Sequence, residues 1–180
     1  TMVAIGNAAG RRTRAIISSM DAPLGFAVGN ALEIWEVWNV LQGKGPRDLT
    51  ELCIELAAQM LYLAGHSELV TCRQQAREGL SSGRAREKFL EMVAAQGGNI
   101  EIFTGKAAFP EAPYCSDLTA PQSGYLTIVD TEALGRAVML LSINREKIQN
   151  PIDDTAGIYL RQKTGAYVTK EDPLLTLYSA

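Results

Sequence analysis

Three stretches of this sequence have residue types and spacing suited to chemistry. The first runs from Pro23 to Glu36 as Pro-Leu-Gly-Phe-Ala-Val-Gly-Asn-Ala-Leu-Glu-Ile-Trp-Glu. Two glycines and an asparagine ahead of a helix allow unusual backbone angles and expose carbonyls. On a helical wheel Glu36 shares a column with Leu32 and Val40, so its carboxylate is expected to be partly shielded. A shielded carboxylate beside free carbonyls suits a hard cation, which prefers oxygen ligands. On residue types alone, a plain helix start with a surface glutamate outweighs that reading. The second stretch is Arg11, Arg12 and Arg14, after Gly10. Clustered guanidinium groups bind phosphate bidentately, though a solvated turn between helix and strand is the commoner outcome. The third is a pair of strand-turn-strand units around Gly124 and Gly165, shaped like carrier domains that present a modified lysine. Lys163-Thr164-Gly165 lacks the neighbours such a lysine needs, so a structural sandwich is expected there.

Other signatures are absent. The sequence holds no Gly-x-x-x-x-Gly-Lys-Ser/Thr loop, no Gly-x-Gly-x-x-Gly and no Gly-x-Ser-x-Gly turn. His66 is the only histidine, and no Cys-x-x-Cys starts a zinc site. Asp153-Asp154 beside Pro151 reads as a polar turn rather than an acid/base pair. From the residues alone, no active site is visible.

Composition narrows the classes. With 17 basic and 20 acidic residues the formal charge is −3, which argues against a general nucleic-acid or anionic-membrane binder. No apolar run approaches a membrane span. Cys53, Cys72 and Cys115 are odd in number and widely spaced, so they are read as reduced, packed thiols of a cytoplasmic protein. The 180 residues are 47% hydrophobic and 21% charged, enough for one ordinary domain or two small lobes.

The elements that would position these residues follow from periodicity. Residues 2–9 read as the tail of a helix stopped by Gly10. The start at Thr1-Met2-Val3 falls directly in the pattern, as if cut from something longer. Arg14 to Ser19 reads as a short buried strand. A helix from Ala31 to Leu41 is expected to bury Ala31, Ile34, Trp35, Trp38 and Leu41. Asp48 and Glu51 resemble a capping box for a helix with Leu49, Leu52, Cys53, Leu56, Met60 and Leu63 on one stripe. Helices with Leu69, Cys72, Ala76 and Leu80, then with Ala85, Phe89, Met92 and Val93, are separated by Gly83. Ile100 to Phe103, Tyr114 to Ala120, Tyr125 to Val129, Ala156 to Arg161 and Leu174 to Tyr178 read as strands, and Thr131 as the cap of a helix with Leu134, Ala137, Val138 and Leu141. The expected class is α/β (α+β): a mostly helical part over residues 1–97, then an α+β lobe over 98–180, the boundary lying near 97–112.

Several of these segments carry a family resemblance. Met20 to Glu36 resembles a stretch of the pyrimidine-nucleoside and thymidine phosphorylases. Gly45-Pro46-Arg47-Asp48-Leu49-Thr50-Glu51-Leu52, Met92 to Gly98, Gly124-Tyr125-Leu126, Leu134-Gly135-Arg136-Ala137 and Ile152-Asp153 to Gly157-Ile158 follow in the family's order. The resemblance covers nearly all of the chain and implies the later part of the family's large α/β domain, followed by a C-terminal α+β lobe with strand-turn-strand units. It implies a transferase, a pentosyltransferase, that cleaves thymidine or uridine with phosphate to free base and (deoxy)ribose 1-phosphate. The family's phosphate loop and base-holding residues lie upstream of the matched stretch, so the chain is expected to be inactive alone. Its implied partners are the missing N-terminal part, phosphate, a pyrimidine nucleoside and a second subunit. A potassium ion is implied as well, its ligands here the Leu24 and Ala27 carbonyls and the Glu36 carboxylate. That implication reverses the plainer reading of Glu36. Trp35 and Trp38 are larger than the residues relatives place there, and Ser142 to Arg145 stands where relatives often have a glycine-rich turn. The competing expectation is a non-catalytic structural or binding module derived from the same fold.

Overall fold

The computed structural model describes residues 1–143 and 152–179. Among the described residues seven helices and six short strands follow in the order α1 (Met2–Ala8), β1 (Ala27–Val28), α2 (Asn30–Leu41), α3 (Arg47–Leu63), α4 (Leu69–Ser81), α5 (Arg84–Ala95), α6 (Glu101–Thr104), β2 (Tyr114–Thr119), β3 (Gly124–Tyr125), α7 (Thr131–Leu141), β4 (Gly157–Leu160), β5 (Tyr167–Val168) and β6 (Pro173–Ser179). The α+β class expected from the sequence holds.

Helices α2 to α5 form a layer; the stripe expected on α4 is buried at Cys72, whereas on α3 the buried residues are Ile54 and Ala58, and Cys53, Leu56 and Met60 of the expected stripe are exposed. Cys72 on α4 and Ala58 on α3 are both 0% exposed, with Ile54 beside them in the core. Two ion pairs fix the antiparallel register of α3 and α4. Arg73 donates to Glu55 at 2.6 and 3.0 Å, and Arg77 Nη1 donates to Glu51 at 2.9 Å. Acids four apart on one helix therefore meet arginines four apart, in reverse order, on the other. The hydrogen bonds from Arg73 and Gln59 hold the Glu55 carboxyl down to about 2, against the 4.5 of an ordinary glutamate. A depressed folded value means this pair stabilises above about pH 4.5 and is lost as pH falls toward 2. Glu55→Gln is therefore expected to lower the denaturation midpoint at pH 7 and to change little near pH 2. Strong salt should shrink the pH 7 difference, because the pair is partly exposed. Equal shifts at both pH values would remove this account.

A second core element is aromatic. Trp38, 6% exposed, lies 5.9 Å from the Phe89 ring and 5.2 Å from Phe103, which meet each other edge-on at 5.1 Å. The large residue at position 38 thus seals α2 onto α5 and α6. Trp35 instead packs on Phe109 at 4.9 Å.

The main sheet has the order β1-β4-β6-β2 and is antiparallel throughout, with Ala27 opposite Tyr159, Gly157 opposite Tyr178 and Tyr114 opposite Ser179. It draws strands from both sides of residue 97. Ile158 and Leu160 are buried in it, as is Thr176, whose hydroxyl accepts from Arg161 Nε at 3.0 Å and donates to Asp117 at 2.6 Å. The two glycine turns meet in a separate two-stranded sheet, β3 with β5, where the Tyr125 and Tyr167 rings lie 5.1 Å apart.

Several expectations are corrected. Arg14 to Ser19 is neither a strand nor buried, and Ile17 is 98% exposed. An extended segment becomes a strand only with a neighbour to take its N–H and C=O groups, and among the described residues none lies alongside. Ile100 to Phe103 alternates like a strand yet forms α6, because the Asn99 side chain takes the Glu101 N–H at 2.9 Å and Gly105 closes the turn at φ 77. Within 125–129 only Tyr125 is in a strand. On α2 the buried residues are Glu36, Trp38 and Val40, while Ile34 and Trp35 are about 40% exposed. That helix is gripped from two sides, by the sheet and by the aromatic cluster, so one 3.6-residue stripe does not describe it. The residue before α3 is Pro46, with Asp48 inside the first turn. The cap of α7 is Asp130, accepting from the Ala133 N–H, rather than Thr131. All three cysteines are free, but only Cys72 is packed. Asn144 and Arg145 lie outside the described residues, as does Pro151.

Candidate functional site

Residues 21–25 take part in no backbone–backbone hydrogen bond among the described residues, so side chains hold this loop. Glu36, one turn and a half into α2, reaches back over it. Its Oε1 accepts the Phe26 N–H at 2.9 Å and Oε2 lies 3.5 Å from the Ala27 nitrogen. Gly25, at φ 69, leaves room for this approach: a Cβ there would sit 2.1 Å from Glu36 Oε2. Desolvation raises the Glu36 pKa above the ordinary carboxylate value, and the two backbone donors and nearby Lys163 offset it only in part. A carboxylate 7% exposed and incompletely compensated is a place where a cation lowers the energy.

Leu24, Ala27 and Glu36 line one cavity of about 370 Å³, together with Glu33 and Thr131. In β1 the Phe26 carbonyl takes the Leu160 N–H at 2.8 Å, while the Ala27 N–H turns the other way, to Glu36. Successive residues of a strand point their polar groups to opposite edges, so the Ala27 carbonyl is directed away from β4 as well. The Leu24 carbonyl accepts no hydrogen bond among the described residues. Among the described residues no three His, Cys, Asp or Glu side chains gather as a metal site. One carboxylate with neutral carbonyls is an all-oxygen donor set, the chemistry that suits a hard cation.

Glycines bring this loop against the sheet. Gly29, at φ 131, lies against Ala156 and Gly157, and a Cβ on it would be 2.6 Å from the Ala156 carbonyl oxygen. Gly157 in turn faces the Val28 carbonyl, where a Cβ would be 2.6 Å away. The Gly29 N–H donates to Glu33 at 3.0 Å and the Ala31 N–H to the Asp154 carbonyl.

Comparison with known proteins shows what the chain is similar to. Residues 125–180 match the family model of the pyrimidine nucleoside phosphorylase C-terminal domain. The similarity extends well upstream of it. Over 179 residues, 99% of the chain, it is 41% identical to the pyrimidine-nucleoside phosphorylase of Geobacillus stearothermophilus, and 42% identical to those of Bacillus subtilis (strain 168) and Staphylococcus aureus (strain USA300). The chain spans about 41% of the length of these relatives.

The remaining sequence candidates have structural uses. Arg12 donates to the Leu63 carbonyl at 2.9 Å, closing the C-terminal end of α3, and Arg14 lies 4.8 Å from the Tyr62 ring centre. Asp153 accepts from the Thr155 amide and hydroxyl, a polar turn as expected. Two residues escaped the sequence reading. Asp48, read as a cap, accepts the Gly25 N–H at 3.3 Å and pairs with Lys163. Lys163, read only as a failed carrier lysine, donates to the Pro23 carbonyl at 3.4 Å. Desolvation pushes the Asp48 carboxyl up, but the bonds from Lys163 and the Leu49 and Gly25 amides outweigh it, so its pKa is lowered. No local signal marks this pair, since its members stand 115 residues apart.

Proposed function

We propose that this chain is the C-terminal portion of an enzyme that reversibly cleaves pyrimidine nucleosides with inorganic phosphate. The observation that carries the reading is the similarity over 179 residues to pyrimidine-nucleoside phosphorylases. In such a reaction a phosphate oxygen bonds to the anomeric carbon, the bond from that carbon to the base nitrogen breaks, and the base leaves with the electron pair and takes up a proton. The products are free base and a (deoxy)ribose 1-phosphate. Residues 1–97 would complete the central α/β domain and 98–180 form the C-terminal lobe.

The part of the enzyme outside this chain would bring the groups that hold phosphate and base. It would also cover the exposed apolar residues Ile17 and Met20, and a second subunit would complete a homodimer. Leu24, Ala27 and Glu36 would hold potassium, which supplies a fixed positive charge beside the phosphate site. The chain's own contribution is to keep two carbonyls and one buried carboxylate in place before the ion arrives, so that little order remains to be gained on binding. Among the described residues no helix is long and apolar enough to cross a membrane, and three free thiols suit the reducing cytoplasm.

The test compares thymidine and uridine phosphorolysis by the 180-residue chain and by the longer protein containing it. Activity confined to the longer protein is the expected result. Turnover by the short chain would place a catalytic site within these residues, and inactivity of both would leave the non-catalytic module as the better account.

A further inference from the structure

The structure assigns Lys163, in the turn between β4 and β5, as a positioning residue that fixes the loop presenting Leu24 and Ala27. Its ammonium bonds Asp48 on α3 and the Pro23 carbonyl, and it stands 4.7 Å from the centre of the Phe26 ring. The bearing on a cation rests on the function proposed above; the grip on the loop does not.

Residues 21–25 have no main-chain hydrogen bonds of their own, as described. Pro23 has no N–H, so its carbonyl is the one polar backbone handle it offers. Lys163 takes that handle. The same ammonium neutralises Asp48, whose Oδ2 receives the Gly25 N–H two residues further on. The loop is therefore held at Pro23, Gly25, Phe26 and Ala27 by side chains from three places: Lys163 near the sheet, Asp48 at the start of α3, and Glu36 on α2. Leu24 lies between the first two of these points, so the direction of its carbonyl follows from them. Of these side-chain grips only that of Lys163 comes from the C-terminal part of the chain, and it holds the loop at Pro23, ahead of the point where the Leu160 N–H reaches the Phe26 carbonyl. The cavity on the other side of Pro23 and Leu24 is lined by Asp48, Lys163 and Thr164, so the loop separates this grip from the space next to Glu36.

Lys163 also carries a positive charge toward Glu36. Two roles thus predict opposite signs. If the charge mainly competes with potassium, removing it strengthens potassium binding. If the ammonium mainly positions the loop, removing it weakens binding, and the latter is what the shared contacts at Pro23 and Asp48 support.

The experiment uses the full-length protein containing this chain, with Lys163→Met, Lys163→Arg and Asp48→Asn variants. Amide hydrogen exchange at Gly25, Phe26 and Ala27 is measured first. The half-saturating potassium concentration is then read from the melting temperature in a choline background. Lys163→Met is expected to speed exchange at these amides roughly tenfold, the loss of one charge-assisted hydrogen bond, and to raise the half-saturating potassium several-fold. Lys163→Arg should restore most of both. Asp48→Asn removes the grip from the other side and should add little to Lys163→Met, since the two act as one unit. Unchanged exchange in both Lys163→Met and Asp48→Asn would overturn the assignment, and so would a lower half-saturating potassium in Lys163→Met. If the wild type shows no potassium response, the cation reading falls and the exchange result alone decides whether Lys163 positions the loop.

Discussion

Gly29→Ala lowers the unfolding free energy by about 2–4 kcal/mol, the combined expectation for forcing a side chain into a glycine-only backbone region and for overpacking. The backbone at Gly29 has φ 131 and ψ 144, and what a Cβ would strike is itself backbone: the Ala156 oxygen at 2.6 Å and the Gly157 Cα at 2.8 Å. No rotamer change relieves that. Gly157→Ala meets the Val28 carbonyl in the same way and is expected to fall in the same range. Gly79→Ala on α4 is the control, because nothing lies within 4 Å of its Cβ. There alanine gains helix propensity and should be neutral or stabilising by up to about 1 kcal/mol. Denaturant titration of the three variants beside the parent protein checks this. Similar midpoints for Gly29→Ala and Gly79→Ala would show that the β1–β4 crossing is not tightly packed.

The second large effect concerns Gly25. Gly25→Ala leaves Glu36 in the sequence but puts a methyl group 2.1 Å from its Oε2, so the carboxylate must leave the Phe26 and Ala27 amides. If those residues hold potassium, Gly25→Ala and Glu36→Gln should weaken the potassium-dependent rise in melting temperature by similar amounts. The expected change in half-saturating concentration is roughly tenfold or more, as for loss of a charge-assisted contact. One variant removes the charge and the other only misplaces it. A full potassium response in Glu36→Gln would mean that the ion, if bound, is held elsewhere.

The sequence was most informative where structure is local. The stripes of α3, α4 and α5 repeat at helical spacing and are closed by glycines such as Gly83 at φ 83, so their limits could be read to within a few residues. Glu36 was legible only in part: its column on the helix wheel, with Leu32 and Val40, pointed to shielding, but residue types alone favoured a surface glutamate and the family resemblance reversed that. Strands fared worse. Arg14 to Ser19 holds a short apolar run and Ile100 to Phe103 alternates, but whether such a segment becomes a strand depends on a partner distant in sequence, which local pattern does not encode. Caps were misjudged for a similar reason. Asp48 has a good capping residue type, yet a lysine 115 positions away claims its carboxylate. The link from Lys163 to Pro23 joins residues 140 apart, and nothing in either neighbourhood announces it.

The antiparallel pairing of β1 with β4 also has a consequence for synthesis. Ala27 and Val28 leave the ribosome about 130 residues before Tyr159 and Ile158, their partners. At usual elongation rates of roughly 5–20 residues per second, that interval is on the order of ten seconds. Helices α2 to α5 can close locally within it, while the loop ahead of β1 waits without its far wall or its lysine. The nascent chain therefore finishes its helical layer first and the edge beside Glu36 last, and a ribosome that stalls before residue 157 leaves that edge unmade.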